Sequence, residues 1–364
     1  MSRSEYRRFH NPVDLRFGVG VSAELPQLVG ARSCVIFTFP EAMPLGLLDP
    51  LIGGLGPRLL GVIDRLPSNP DVIDLQRIWQ DFIHLGDKPE VVLAIGGGSV
   101  IDLAKAICVA SSAQSFSVLM QHLSQDLPVE EPLSPQLIAV PTTAGTGSEV
   151  TPWATIWDQA AQRKYSLHGP ALWPSLAVVD PALAQSLPAA VTLSSGLDAL
   201  SHALEAIWNR QANPVSDVLA IAAARRVISS LPRLMTDLGN MGLRESMAQA
   251  ALQAGLAFSN TKTALAHSIS YELTLRLGLS HGLACSFCLP AVMARAIGVE
   301  ATRDACLIEI FGHPLDQAPF RLSQFLEGLG VRTDFSSYGY GPLEEAALFE
   351  RALSGVRGQN FIGA

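Results

Sequence analysis

Charge is scarce in this chain. Asp, Glu, Lys and Arg make up 16% of 364 residues, and the formal net charge is −8. Without a basic surplus, general nucleic-acid binding is excluded, although a few local cations can still hold a small anion. Long apolar runs are also missing. No stretch approaches the roughly 18–20 uninterrupted apolar residues of a membrane helix, so no membrane segment is expected. The opening "MSRSEYRRFHNPVD" has basic residues but no apolar stretch behind them, which predicts no secretory leader. Cysteine is sparse, odd in number and scattered: Cys34, Cys108, Cys285, Cys288 and Cys306. That pattern does not suit a disulfide framework and fits a reducing cytoplasm. Cys285 and Cys288 form one C-x-x-C with no second pair, so the motif reads as two small apolar residues in a helix rather than a zinc knuckle.

Hydrophobic residues, in contrast, make up 48% of the chain, enough for a large core, a subunit interface, or both. The length suits two ordinary domains. In the first half, short β-type runs alternate with helical segments. "SCVIFTF" (33–39) and "LLGVIDRL" (59–66) read as strands, and "DLQRIWQDFIHLG" (74–86) as an amphipathic helix. "EVVLAIGGGSVIDLAKAICVA" (90–110) reads as strand, glycine turn and helix. "QLIAVPTTAGTGSE" (136–149) reads as a strand followed by a small-residue loop. Such alternation predicts a parallel sheet covered by helices. From about residue 190 the helical signal is nearly continuous. The expected division is an α/β domain over 1–187 and an all-helical domain over 188–364.

Three glycines, Gly96, Gly97 and Gly98, follow the apolar run Val91 to Ile95 directly. They let backbone N–H groups approach a phosphate without Cβ interference. Ser99 is expected to open the helix whose N-terminus faces that anion. After the next strand come Thr142, Thr143 and Thr146, interleaved with Gly145 and Gly147. The carboxyl ends of parallel strands share one edge, where ligands bind, so the two loops together predict a dinucleotide site.

In "SSGLDALSHALEAIW", Asp198 and His202 stand four apart and share a helical face, with Ser194 or Ser195 as the expected N-cap. His267 lies in the helical "TALAHSISYELTLRL", and His281 precedes Gly282 at a loop-to-helix start. One Asp and three His form an N₃O set suited to Fe²⁺ or Zn²⁺ with a position left open.

"GGGSVIDLAK", "PTTAGTGSE", "GLDALSHALE", then His267 and His281-Gly282, occur in an order that resembles the iron-containing (group III) alcohol dehydrogenase family, over roughly residues 10–355. The resemblance implies a dehydroquinate-synthase-like fold: an α/β N-terminal dinucleotide-binding domain plus an all-α C-terminal metal-binding domain. It implies NAD(P)H, one divalent metal, a small aldehyde or alcohol substrate and a homodimer or larger assembly. Asp198, His202, His267 and His281 match the metal ligands. Gly96, Gly97, Gly98, Ser99 and Asp102 match the pyrophosphate loop, and Thr142, Thr143 and Thr146 the second cofactor loop.

Two departures stand out. Many members carry a histidine four residues after the third ligand, where this chain has Tyr271. A phenol, with a pKa near 10, is a poor proton shuttle at neutral pH and suits substrate orientation better. NAD-preferring members often carry an aspartate after the first strand; here Phe39 aligns, with Glu41 two residues on, which predicts acceptance of NADPH. The stretch from Asn260 to Pro290 is similar to the branch that reduces phosphonoacetaldehyde. Lys262 and Arg276 flank His267 and are the expected partners of a phosphonate. Rival readings are a general short-chain alcohol dehydrogenase, a dehydroquinate-synthase-type lyase, a metal-independent maleylacetate reductase and a non-catalytic binder. The lyase would need more Lys and Arg, and the intact Asp and three His speak against metal independence.

Overall fold

The computed structural model describes residues 8–67, 70–161 and 163–364. Its chain divides into two compact units. One comprises Pro12–Thr143 and Ser148–Ser186. The other comprises Leu187–Ala364, the short segment Ala144–Gly147 and the described residues before Pro12.

Among the described residues, the first unit has eight strands: β1 (Asp14–Phe17), β2 (Cys34–Thr38), β3 (Leu59–Ile63), β4 (Val91–Gly96), β5 (Gln136–Pro141), β6 (Trp153–Asp158), β7 (Arg163–His168) and β8 (Leu176–Val179). Six of them form a parallel sheet in the order β1-β8-β5-β4-β2-β3, and β6 and β7 form a separate antiparallel pair. Alternate residues feed opposite faces. Val35, Phe37, Val92, Ala94, Leu137 and Ala139 join one buried cluster, with Leu75, Ile78 and Phe82 of the Val72–Ile83 helix. Cys34, Ile36, Val91, Leu93, Ile138 and Val140 join the other, with Leu25, Val29 and Leu55. Burial on both faces explains why the central strands read as continuous apolar runs rather than alternating ones.

In the second unit the described residues form helices and one isolated bridge, Asn209 to Phe361. The first helix spans Ala189–Ile207 and follows Pro188, whose fixed φ prepares the helix start. Ser194 and Ser195 therefore lie inside the helix, and the expectation that either caps it is wrong. Pro214–Thr236 is capped by Asn213, whose side-chain oxygen accepts from the N–H groups of Val215 and Ser216. Met241–Thr261, Leu265–Leu277 and His281–Ser286 follow. No helix among the described residues is long and apolar enough to cross a membrane.

Candidate metal centre and cofactor loop

On the Ala189–Ile207 helix, Asp198, His202 and Glu205 recur at i, i+4 and i+7, so all three project from one buried face. His202 Nδ1 lies 3.3 Å from the Gly145 carbonyl oxygen. Its ring stacks on Phe258 with centroids 4.0 Å apart. These contacts hold Nε2 towards Asp198.

His267 enters from the first turn of Leu265–Leu277, a helix without a side-chain cap of its own. Glu205 supplies that cap from the neighbouring helix. Its Oε2 accepts from Ala264 N–H at 2.8 Å and lies 2.6 Å from His267 Nδ1; its Oε1 accepts from Ala266 N–H and, at 3.4 Å, His267 N–H. A carboxylate on the second ring nitrogen fixes the tautomer and leaves Nε2 as a ligand. The sequence reading passed over Glu205, although its i+7 spacing from Asp198 was visible.

His281 is the first residue of its short helix. Gly282 is required behind it, because a Cβ there would fall 1.8 Å from the Ser194 carbonyl oxygen. The missing side chain lets the two backbones meet and carries His281 to Asp198.

The four residues converge on one point. Asp198 Oδ1 is ringed by Nε2 of His202, His267 and His281 at 3.7, 3.6 and 3.7 Å. The two buried nitrogens of His202 and His267 stand 3.1 Å apart. Asp198 Oδ1 is itself buried and has no hydrogen-bond partner. An orphaned carboxylate oxygen facing three imidazole nitrogens is costly without a shared cation, so these residues fit a divalent metal. Burial pushes His202 down to about 4 and keeps it neutral, as a ligand must be. At Asp198, burial works upward, but His202, His281 and His267 outweigh it and hold the carboxyl well below the usual range. At His267 burial works downward, yet Cys285 and Glu205 raise the ring above its ordinary value. A proton held there must leave when a cation binds.

Cys285 corrects the reading of the C-x-x-C as inert filler. Its Sγ lies 3.6 Å from His281 Nε2, and it groups with Asp198, His267 and His281 so that all four ligand atoms fall within 4.8 Å of one another. Burial alone would raise the thiol, but His267 and His281 bring it to about 6. The cluster therefore offers a soft donor beside the N₃O set, whereas Cys288 is buried behind it with its Sγ directed to the Cys285 carbonyl.

Tyr271 stands one turn after His267, half-buried, with the Arg357 guanidinium over its ring. Lys262 ends the Met241–Thr261 helix with φ +67° and is exposed. Arg276 donates to Glu272 and to the Tyr340 hydroxyl, with its side chain 59% exposed. Arg276, expected to meet a substrate anion, faces Glu272, which also accepts from Arg351.

In the first unit, Gly97 caps the Gly98–Ala113 helix in an extended conformation, with no side-chain cap. The helix thus starts at Gly98, one residue before Ser99. Thr142 N–H donates to the Gly96 carbonyl at 3.0 Å, and Gly97 lies against the Thr143 side chain. The glycine turn and two of the threonines so share one edge of the sheet, at an uncapped helix N-terminus suited to a pyrophosphate. Thr146 belongs to the segment that groups with the helical unit. Asp102 accepts from the Ser148 hydroxyl and from Thr155 N–H at 2.8 Å, so its carboxylate braces the loop. Lys105, fully buried, donates to the carbonyls of Ser148, Thr151 and Trp153 at 2.7–2.8 Å. Burial lowers it to about 8.

Comparison with known proteins agrees with both halves. Residues 12–181 match the model of the iron-containing alcohol dehydrogenases, and residues 192–361 match the C-terminal model of the same family. The chain belongs to the iron-containing alcohol dehydrogenase family. As a member it is an NAD(P)-dependent oxidoreductase acting on alcohols or aldehydes. It is 30% identical to the NAD-dependent methanol dehydrogenase of Bacillus methanolicus over 90% of this chain and 87% of that protein. It is 33% identical to the phosphonoacetaldehyde reductase of Streptomyces viridochromogenes over 67% of this chain and 66% of that protein. The crystal structure of sulfoacetaldehyde reductase from Bifidobacterium kashiwanohense in complex with NAD+ superposes with a TM-score of 0.89 at 27% identity, over 98% of this chain and 95% of that one.

Proposed function

We propose that this family member reduces a small aldehyde bearing an anionic group, phosphonoacetaldehyde foremost, to the primary alcohol with NAD(P)H. The observation that carries the substrate class is that two relatives, one similar in sequence and one in structure, are named for two-carbon aldehydes with an oxyanion on the second carbon. The reaction places a hydride on the carbonyl carbon and a proton on its oxygen. When bound, the divalent cation supplies Lewis-acid polarisation and the reduced dinucleotide supplies the hydride.

Asp198, His202, His267 and His281 hold the cation in this reading, with His202 and His267 kept in the ligating tautomer by Gly145 and Glu205. Gly96 to Ser99, Thr142 and Thr143 hold the dinucleotide. Phe39, half-buried at the end of β2, brings no carboxylate to repel a ribose phosphate, which favours acceptance of NADPH. Tyr271 orients the substrate and does not carry its proton.

Metal analysis of the purified protein, with kcat/KM for phosphonoacetaldehyde, sulfoacetaldehyde and propanal with NADPH and NADH, tests this reading. A preference for the anions in metal-replete protein, lost together with bound metal in Asp198→Ala, is expected. Equal use of propanal would favour the second reading, a general short-chain alcohol dehydrogenase, which the likeness to methanol dehydrogenase supports.

A further inference from the structure

An anionic aldehyde needs a cation, and neither Arg276, paired with Glu272, nor exposed Lys262 is placed to serve. We infer that Arg357 is the residue that recognises the anionic group of the substrate, with Tyr271 and Thr263 as its supports. This inference rests on the anionic-aldehyde reading above.

The guanidinium carbon of Arg357 lies 4.8 Å from the centroid of the Tyr271 ring, and its Nε donates to Thr263 Oγ1 at 3.1 Å. Stacking and one hydrogen bond orient the planar group and leave the two Nη atoms, the fork that grips an oxyanion, without a partner among the described residues. No carboxylate pairs with Arg357 among those residues, in contrast to Arg276, Arg351 and Arg303.

The location fits. Tyr271 shares a helix face with the metal-site residue His267, one turn away. One turn is about 5.4 Å, the scale of a two-carbon aldehyde from its carbonyl oxygen to its anionic group. The backbone around Arg357 is fixed on both sides. Gly358 passes so close to the preceding helix that a Cβ would fall 2.1 Å from the Ala352 carbonyl oxygen. Asn360 Nδ2 donates to the Thr263 carbonyl at 2.8 Å, Asn360 O accepts from Arg210 N–H at 2.8 Å, and Phe361 is fully buried. A guanidinium mounted this way is ordered before the substrate arrives, so little is lost on binding. Tyr271 acquires a reason as well: an aromatic face supports a stacked guanidinium, which a protonated histidine would repel.

The test compares kcat/KM for phosphonoacetaldehyde with that for propanal in wild type, Arg357→Gln, Arg357→Lys and Arg276→Ala, all at matched metal content. Arg357→Gln should lower the anion-to-neutral ratio by on the order of 100-fold, mainly through KM. Arg357→Lys should recover part of it, and added guanidinium should rescue Arg357→Gln for the anion more than for propanal. Arg276→Ala should keep the wild-type ratio. A wild-type preference that survives in Arg357→Gln overturns this inference and leaves the substrate reading standing. No preference in wild type overturns both.

Discussion

Glu205 is the residue on which the metal centre depends without touching the metal, and its replacement by Gln separates two of its jobs. The carboxylate is fully buried and receives hydrogen from three backbone N–H groups and one imidazole nitrogen. A carboxamide has one acceptor oxygen. With its NH₂ on the Oε2 side, it opposes Ala264 N–H and can satisfy His267 only by donating to Nδ1. That moves the ring proton to Nε2, the atom facing Asp198, and removes His267 as a ligand. With its NH₂ on the Oε1 side, it opposes Ala266 and His267 N–H at the helix start. Each buried donor left unsatisfied costs about 1–3 kcal/mol. Loss of a supporting partner of this kind weakens metal affinity about 10–100-fold. Glu205→Gln should therefore show that drop in competition with a chromophoric chelator for Zn²⁺. It should also unfold at lower urea, by about 1–3 kcal/mol. Glu205→Ala strands three well-made bonds and should lose about 3–5 kcal/mol, a large part of a typical domain's stability. Metal affinity within twofold of wild type and an unchanged urea midpoint in Glu205→Gln would refute the tautomer argument.

Gly282→Ala drives a methyl into the Ser194 backbone, which has no rotamer to escape with; it should lower Tm by an amount equivalent to about 1–3 kcal/mol and weaken metal binding, and wild-type values of both would contradict the close-approach account. Tyr271→Phe should leave the chemical step intact in single-turnover experiments, because the ring alone supports Arg357; loss of that step with substrate binding preserved would make the phenol a proton carrier. Glu149, buried and raised by burial to about 7, makes stability depend on pH. Its folded value lies above the unfolded one, so its contribution is complete below about 4.5 and is lost as pH rises through about 7, by roughly 3 kcal/mol. Between pH 5 and 8 the urea midpoint should fall more in wild type than in Glu149→Gln, and identical pH dependence in the two would contradict this account.

What the sequence made legible follows from locality. Val91 to Ser99 announces strand, turn and helix because the apolar run, the glycines and the helix periodicity are contiguous. Asp198 and His202 declare a shared face through spacing alone, and the order of the motifs proposes His267 and His281 as ligands. The parts that were not legible depend on meetings across long stretches of chain. Cys285 stands only four residues after His281, a legible spacing, but it resembles a core thiol until His267 and Asp198 are seen beside it. Glu272 lies four residues before Arg276, a pairing that spacing allows, whereas only the structure places Arg357 over the Tyr271 ring. Asp102 sits in the glycine motif, and its partners Ser148 and Thr155 lie 46 and 53 residues on. The helical signal from about residue 190 agrees with a start at Ala189, but the serines that resemble caps lie inside the helix.

The strand order carries a consequence in time. β1 lies beside β8, so the edge formed by Asp14–Phe17 is completed only by Leu176–Val179. On a ribosome adding about 5–20 residues per second, the first strand waits on the order of 10–30 s for its neighbour. The helical unit waits similarly, since Asn209 pairs with Phe361. Each unit is thus closed by a segment made late in its own synthesis. A nascent chain halted before residue 176 carries an unpaired first strand, and one halted before residue 357 carries a Tyr271 ring that has yet to meet its arginine.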